Sequence, residues 1–193
     1  MTMVTSVRSD DSALIAESLR RPEAFAELFD RYSGLLYRYT SRRLGPESAE
    51  DLVGDTFAIA FAKRARYDTS YADARPWLFG ILTKLISRHR RREAARYRAW
   101  ERSTPPAVYV DSPADRVAEG VTAQASRGEL ALALAALPAG DRDVLLLVAW
   151  GDFTYEEVAR ALDIPIGTVR SRLNRARRKV RAALGDVNPL EGE

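Results

Sequence analysis

The sequence predicts an all-α chain: two small helical domains joined by a flexible linker, the C-terminal one carrying a helix-turn-helix. Three observations carry this. Almost every segment repeats its apolar residues at helical spacing, and no stretch alternates as a strand would. The run Ser103 to Pro113, STPPAVYVDSP, holds three prolines and no helical pattern, so it reads as a linker. Thr154 to Leu184 reads as two short helices around a tight turn, the second intensely basic. The expected domains are residues 11–100 and 125–185, with 101–124 between them.

The elements follow in order. A short helix begins after the Asp10–Asp11–Ser12 cap and runs through Leu19. A second runs from Pro22 to about Arg43. Proline suits a first helical turn, and Phe25, Leu28, Phe29, Tyr32, Leu35, Leu36 and Tyr39 line one face. Gly45 and Pro46 end it. The third helix has a stripe of Ala49, Leu52, Val53, Thr56, Phe57, Ala60 and Phe61. After a polar loop, Arg66 to Asp73, a fourth runs from about Ala74 to near Trp100. Its stripe is Trp77, Leu78, Ile81, Leu82, Leu85 and Ile86, and Arg88 to Arg92 then turn it into a cationic rod.

Past the linker, helical character returns from Asp115 and strengthens over Leu130 to Leu137. Pro138 to Asp141 breaks it. Asp141 starts a compact helix, DRDVLLLVAWG, whose unbroken apolar run reads as fully buried. Thr154 can cap the next helix, with Glu156 and Glu157 in its first turn where negative charge suits the helix dipole. Asp163 to Gly167 breaks that helix, and Thr168 is read as the cap of the last one. There Val169, Leu173, Ala176, Val180 and Leu184 make one apolar stripe. Residues from Asp186 on read as a frayed tail.

Composition limits the chemistry. The 193 residues are 46% hydrophobic, enough for real cores, with a net charge of only +3, so charge distribution matters more than its total. There is no cysteine, which excludes disulfides, thiolate catalysis and cysteine-based zinc sites. A single histidine, His89, argues against a histidine-rich metal site or a serine–histidine centre, and reads as a bystander in the cationic run. No apolar run approaches the roughly 20 residues that cross a membrane, and the N-terminus lacks a signal-peptide core. No metal and no cofactor is expected, and the chain reads as cytoplasmic.

Three constellations can carry function. Glu47, Glu50, Asp51 and Asp55 flank the stripe of the third helix. Such acids are a solvated face, a docking surface for a basic partner, or paired carboxylates for acid–base or metal chemistry. The last is weakest, because no other catalytic residue type accompanies them. Tyr67, Tyr71, Trp77 and Phe79, followed by Arg88, Arg90 and Arg91, mix rings with cations as single-stranded nucleic-acid binders do. The competing reading is that Trp77 and Phe79 are ordinary core, and for Trp77, which lies on the stripe, that reading is favoured. In the last helix, Thr168, Arg170, Ser171, Arg172 and Arg175 are exposed near its start, the part of a helix-turn-helix that meets base edges. Arg177, Arg178 and Arg181 follow where phosphates are met. The competing reading is a solvated basic face.

Taken in order, these segments resemble the extracytoplasmic-function (ECF, group IV) class of bacterial RNA polymerase sigma factors. Ala49 to Phe57, AEDLVGDTF, resembles the acidic helix of sigma region two that lies against polymerase. Arg75 to Leu82, RPWLFGIL, with the arginines after it, resembles the melting and −10 recognition helix. Leu137 onward, LPAGDRDVLLLVAWGDFTYEEVARALDIPIGTVRSRLNRARRKV, resembles sigma region four, which reads the −35 element. Gly54 stands where the family often has glutamine, and Lys84 where asparagine is common.

The resemblance implies a protein that binds RNA polymerase core and directs promoter-specific initiation, with no catalytic residues of its own. It implies polymerase contacts at Glu47, Glu50, Asp51 and Asp55, and −10 contacts at Tyr67, Tyr71, Lys84, Arg88, Arg90 and Arg91. It implies −35 contacts at Thr168, Arg170, Ser171, Arg172, Arg175, Arg177 and Arg178. RNA polymerase core and promoter DNA are the implied partners, an anti-sigma factor is a further one, and no membrane insertion is expected. The alternatives are a stand-alone helix-turn-helix regulator that binds an operator without polymerase, a sequestering adaptor, and, least of all, an enzyme. A linker of residues 101–124 extends to about 80 Å at ~3.3 Å per residue, about two turns of duplex at ~34 Å each.

Overall fold

A computed structural model describes residues 10–103 and 123–185, with side chains over 10–96 and 128–185. The described residues are helical and contain no strand. The elements are α1 (Asp11–Ser18), α2 (Ala26–Leu44), α3 (Glu47–Lys63), α4 (Arg75–Ser103), α5 (Ala123–Ala135), α6 (Ala139–Gly151), α7 (Tyr155–Leu162) and α8 (Ile166–Ala183). The interior of the expected linker and the tail lie outside the described residues. The chain divides into two compact units, the first taking the N-terminal segment to His89 together with Arg160–Asp163 at the end of α7, the second taking Arg90–Ala159, from distal α4 through most of α7, and the segment from Ile164 on, with α8.

In the first unit, Asp10 caps α1, its Oδ1 accepting from Ser12 N at 2.9 Å. Pro22–Phe25 forms a separate 3₁₀ turn rather than the start of one long helix. Proline's fixed φ and missing N–H suit either geometry, so the signal located the turn without naming it. α2 ends at Gly45, whose φ of 86° is reached without strain only by glycine. Its face buries Leu28, Leu36 and Tyr39 against Ala49, Leu52, Val53, Phe57 and Ala60 of α3 and Leu78, Phe79, Leu82 and Ile86 of α4. Tyr39 meets Phe79 edge-on, with centroids 5.1 Å apart. Phe29 and Phe61, expected on the buried stripes, stay partly exposed and pack on Phe57 and Phe25 respectively.

In the second unit, Val144, Leu146 and Leu147 of α6 pack with Val158 of α7 and Val169, Leu173 and Ala176 of α8. α6 starts at Ala139 after Pro138, two residues before the expected Asp141. It is not buried on all sides: Leu145, Val148 and Trp150 are half-buried and Ala149 is exposed. An unbroken apolar run hides which face turns outward, because it lacks the polar residues that would mark it.

Candidate nucleic-acid interface

The helix-turn-helix is fixed by local chemistry at each joint. Thr154 and Glu157 form a reciprocal cap on α7. Thr154 Oγ1 accepts from Glu157 N at 3.2 Å, and Glu157 Oε2 accepts from Thr154 N at 2.8 Å. Two N–H groups that the helix start would leave unpaired are thereby satisfied. α7 ends with Asp163 in the left-handed region, φ 54°. Ile164 N donates to Ala159 O at 3.0 Å and Asp163 N to Arg160 O at 3.3 Å, the double closure of a Schellman ending. Aspartate tolerates this backbone better than most residues. Pro165 then leads directly into α8 at Ile166. Thr168 is therefore not the cap expected of it. It lies in the first turn, its N donating to Pro165 O at 2.8 Å, because proline's preset φ starts the helix earlier.

Val169, Leu173 and Ala176 anchor α8 in the core, which turns Arg170, Ser171, Asn174, Arg177, Arg178 and Arg181 outward as exposed residues. A concavity along the helix is lined by Ser171, Asn174, Arg175, Arg177, Arg178 and Arg181. Ser171 Oγ donates to Thr168 O at 3.1 Å, so its lone pairs face outward as acceptors. Asn174 was absent from the sequence expectations. Its signal was available, since it falls three and four residues after Ser171 and Arg170 on the same face.

Two expected base readers are placed differently. Arg175 is clasped by Asp141, Nε to Oδ2 at 2.7 Å and Nη2 to Oδ1 at 2.8 Å. The Asp141 side chain is almost wholly buried, while that of Arg175 is half exposed. The bidentate guanidinium holds the Asp141 carboxyl below the usual carboxylate range, and the carboxylate in turn raises Arg175. Arg172 is half-buried beside the first turn of α6: a methyl added at Gly140 would meet Arg172 Nη1 at 2.7 Å. Arg172 and Arg175 thus lean toward the α6 N-terminus, and Arg170, Ser171 and Asn174 present the open edge.

In the first unit, Glu47, Glu50, Asp51 and Asp55 are all exposed on α3, beside buried Ala49, Leu52, Val53, Thr56 and Phe57. Gly54 lies among them facing open space. Between α3 and α4, residues 64–66 form a 3₁₀ turn and the loop continues to 74. Tyr67 is half-buried, its ring 5.0 Å from that of Trp77 and its hydroxyl donating to Tyr71 O at 2.7 Å. Burial, with Asp11 and Asp73 nearby, pushes its phenol up. Tyr71 is 42% exposed, and the Arg160 guanidinium lies 4.4 Å from its ring centroid. Along α4, Phe79 is core, while Lys84, Arg88 and Arg91 are exposed at helical spacing on one side. Arg90 is half-buried, and so is His89, whose Nε2 lies 3.4 Å from Ser48 Oγ. His89 is thus tied to the start of α3 rather than idle in the cationic run.

With this geometry in place, the comparisons with known proteins converge. Residues 28–96 match the family model for sigma-70 region 2 and residues 127–180 that for sigma-70 region 4. The ECF RNA polymerase sigma factor SigK of Mycolicibacterium vanbaalenii is 30% identical over 177 residues, 91% of this chain and 89% of that one. The chain belongs to the ECF family of RNA polymerase sigma factors. SigL of Mycobacterium tuberculosis, another ECF sigma factor, is 32% identical over 161 residues, 83% of this chain and 88% of its own. CnrH, solved with the cytosolic domain of CnrY, superposes with a TM-score of 0.65 at 26% identity, over 93% of this chain and 99% of that one. The sigma factor RpoE of Bartonella quintana, solved with the anti-sigma factor NepR, shares the fold with a TM-score of 0.61 at 24% identity, over 85% and 98%. ECF sigma factors are not a family of known enzymes. Among the described residues there is no group of three or more histidines or acids placed to hold a metal ion, and no helix long and apolar enough to cross a membrane.

Proposed function

We propose that this protein, in the cytoplasm, binds RNA polymerase core and directs it to promoters, with α8 reading the −35 element. The observation that carries this is the outward face of α8. Arg170, Ser171 and Asn174 stand together near the helix start, with Arg177, Arg178 and Arg181 behind them. A major groove admits one such helix. Arginine matches guanine O6 and N7, asparagine matches adenine N6 and N7, and a serine with free lone pairs accepts from a base amine. The later arginines meet phosphates. Arg172 and Arg175 brace the helix from behind, and Thr168 contributes through the turn that positions Ser171.

In this reading Glu47, Glu50, Asp51 and Asp55 dock on polymerase. The 67–74 loop and the basic side of α4, with Lys84, Arg88, Arg90 and Arg91, engage the −10 region as it opens. Rings there offer stacking and cations offer phosphate contacts. The similar CnrH and RpoE structures each include a second protein. A separate anti-sigma partner for this chain is part of the same proposal.

Run-off transcription tests it. Purified core with this chain should yield specific transcripts from genomic fragments, and neither component should do so alone. No specific transcript, or specific operator binding that needs no core, would overturn the reading.

A further inference from the structure

α1 contains a buried acid with no part in the proposed contacts. Asp11 is 2% exposed, yet three donors converge on its carboxylate. Oδ1 accepts from Arg31 Nη1 of α2. Oδ2 accepts from the Tyr32 hydroxyl at 2.5 Å and from Ala74 N at 2.8 Å. The backbone of the same residue donates to Ala72 O at 3.0 Å. Asp11 thus grips the descending end of the 67–74 loop at two backbone points, Ala72 and Ala74, and ties it to α2.

The neighbouring groups make this grip directional. Tyr32 has one hydroxyl proton and two carboxylates in reach, Asp11 at 2.5 Å and Asp73 at 3.2 Å. The shorter contact takes the proton. Asp73 is occupied otherwise, its Oδ1 capping α4 through Arg75 N at 2.8 Å. The ascending end of the loop is held separately, by the Tyr67 ring on Trp77 and the Tyr67 hydroxyl on Tyr71 O. At the crest, Asp68 Oδ1 accepts from Ser70 N at 3.0 Å. Both ends are therefore pinned, and the stretch left projecting is Asp68 to Ser70, with the part-exposed Tyr71 at its foot, one face of its ring under the Arg160 guanidinium at 4.4 Å and the other left for a base.

We infer that Asp11 is a positioning residue for −10 recognition, acting with Tyr32 to set the shape in which the 67–74 loop presents Tyr71 to an unpaired base. This rests on the proposed role of that loop. Asp11 touches no DNA in this scheme; it acts through the backbone of Ala72 and Ala74.

The test uses full-length chain assembled with polymerase core. The probe is a fluorescent single strand spanning the −10 element of a promoter found in the run-off assay. Asp11→Asn keeps the shape but replaces one acceptor oxygen with a donor, and should weaken strand binding about tenfold, the loss of roughly one charged hydrogen bond. Tyr32→Phe deletes a single hydroxyl and should weaken it less, in the same direction. Affinity for core should stay within about twofold, since the acids on α3 are untouched. In a Tyr71→Ala background, Asp11→Asn should add little further loss. Unchanged strand affinity overturns the inference. So does a parallel loss of core binding, or full additivity with Tyr71→Ala, since either marks a merely structural role. If Asp11→Asn does not fold, Tyr32→Phe carries the same comparison alone. If wild-type complex fails to bind the strand, the loop's proposed role falls and this inference with it.

Discussion

The clasp between Asp141 and Arg175 makes a quantitative forecast about salt. A protein that neutralises Z phosphates loses affinity with salt at a slope of about −0.9Z. Arg178 is exposed on the open face of α8, so Arg178→Ala should make the slope shallower by about 0.9. Between about 50 and 200 mM salt, that slope change amounts to about a 3.5-fold difference in affinity lost. Arg175 lies one turn earlier on the same helix, but Asp141 neutralises it at 2.7 and 2.8 Å. To reach a phosphate it would have to leave a buried carboxylate unpaired, which costs more than an exposed contact returns. Arg175→Ala should therefore shift the slope by less than about 0.3. Asp141→Ala, which releases the guanidinium, should steepen it by up to about 0.9. Glu129→Ala on α5, an exposed acid, controls for the same change in net charge. Fluorescence anisotropy of a −35 duplex across a potassium chloride series reads all four slopes. The reasoning is refuted if Arg175→Ala flattens the slope as much as Arg178→Ala does. It is also refuted if Asp141→Ala matches Glu129→Ala.

Three further outcomes follow from the same structure. Reversing Asp51 and Asp55 to lysine should weaken binding to polymerase core in a salt-matched titration while leaving the helical circular dichroism intact, because both are exposed beside the stripe. Thr154→Ala removes half of the reciprocal cap on α7 and should cost about 1 kcal/mol. Urea unfolding followed by Trp150, with Trp77 and Trp100 changed to phenylalanine, reads that loss. The Asp141 carboxyl titrates below its ordinary range in the folded chain, so its contribution to stability is present above about pH 4 and disappears as pH falls through the folded value. Urea midpoints at neutral and acid pH should accordingly fall further for the wild type than for Asp141→Asn.

What was legible in the sequence was local. The α3 stripe from Ala49 to Ala60 is buried as its spacing implies, because an exposed acidic face beside it marks the boundary. The Thr154–Glu157 cap was half visible as a threonine followed by first-turn acids, and the glutamate closes the reciprocal bond. Local signals failed where two residues compete for one role: Pro165 outranks Thr168 because a fixed φ costs nothing at a helix start. They failed again where the partner is distant. Nothing near Arg175 announces Asp141, 34 residues earlier, so an arginine in a basic run looked free when it was engaged. Nothing near Asp11 announces Ala74. The open edge of α8 lost Arg175 and gained Asn174 once the buried side of the helix was fixed by Val169, Leu173 and Ala176.

The bond from Ala74 N to Asp11 spans 63 residues, and that distance sets an order of events during synthesis. α1 leaves the ribosome before the other described helices, but the amide that completes its buried carboxylate is made much later. At about 5 to 20 residues per second, the wait is roughly 3 to 13 seconds. Over that interval α2 and α3, joined by the tight turn at Gly45 and Pro46, can pair through contacts close in sequence, which form soonest. Among the described helices the earliest to be translated is thus among the last to be locked, waiting on a loop that closes only after three of them exist.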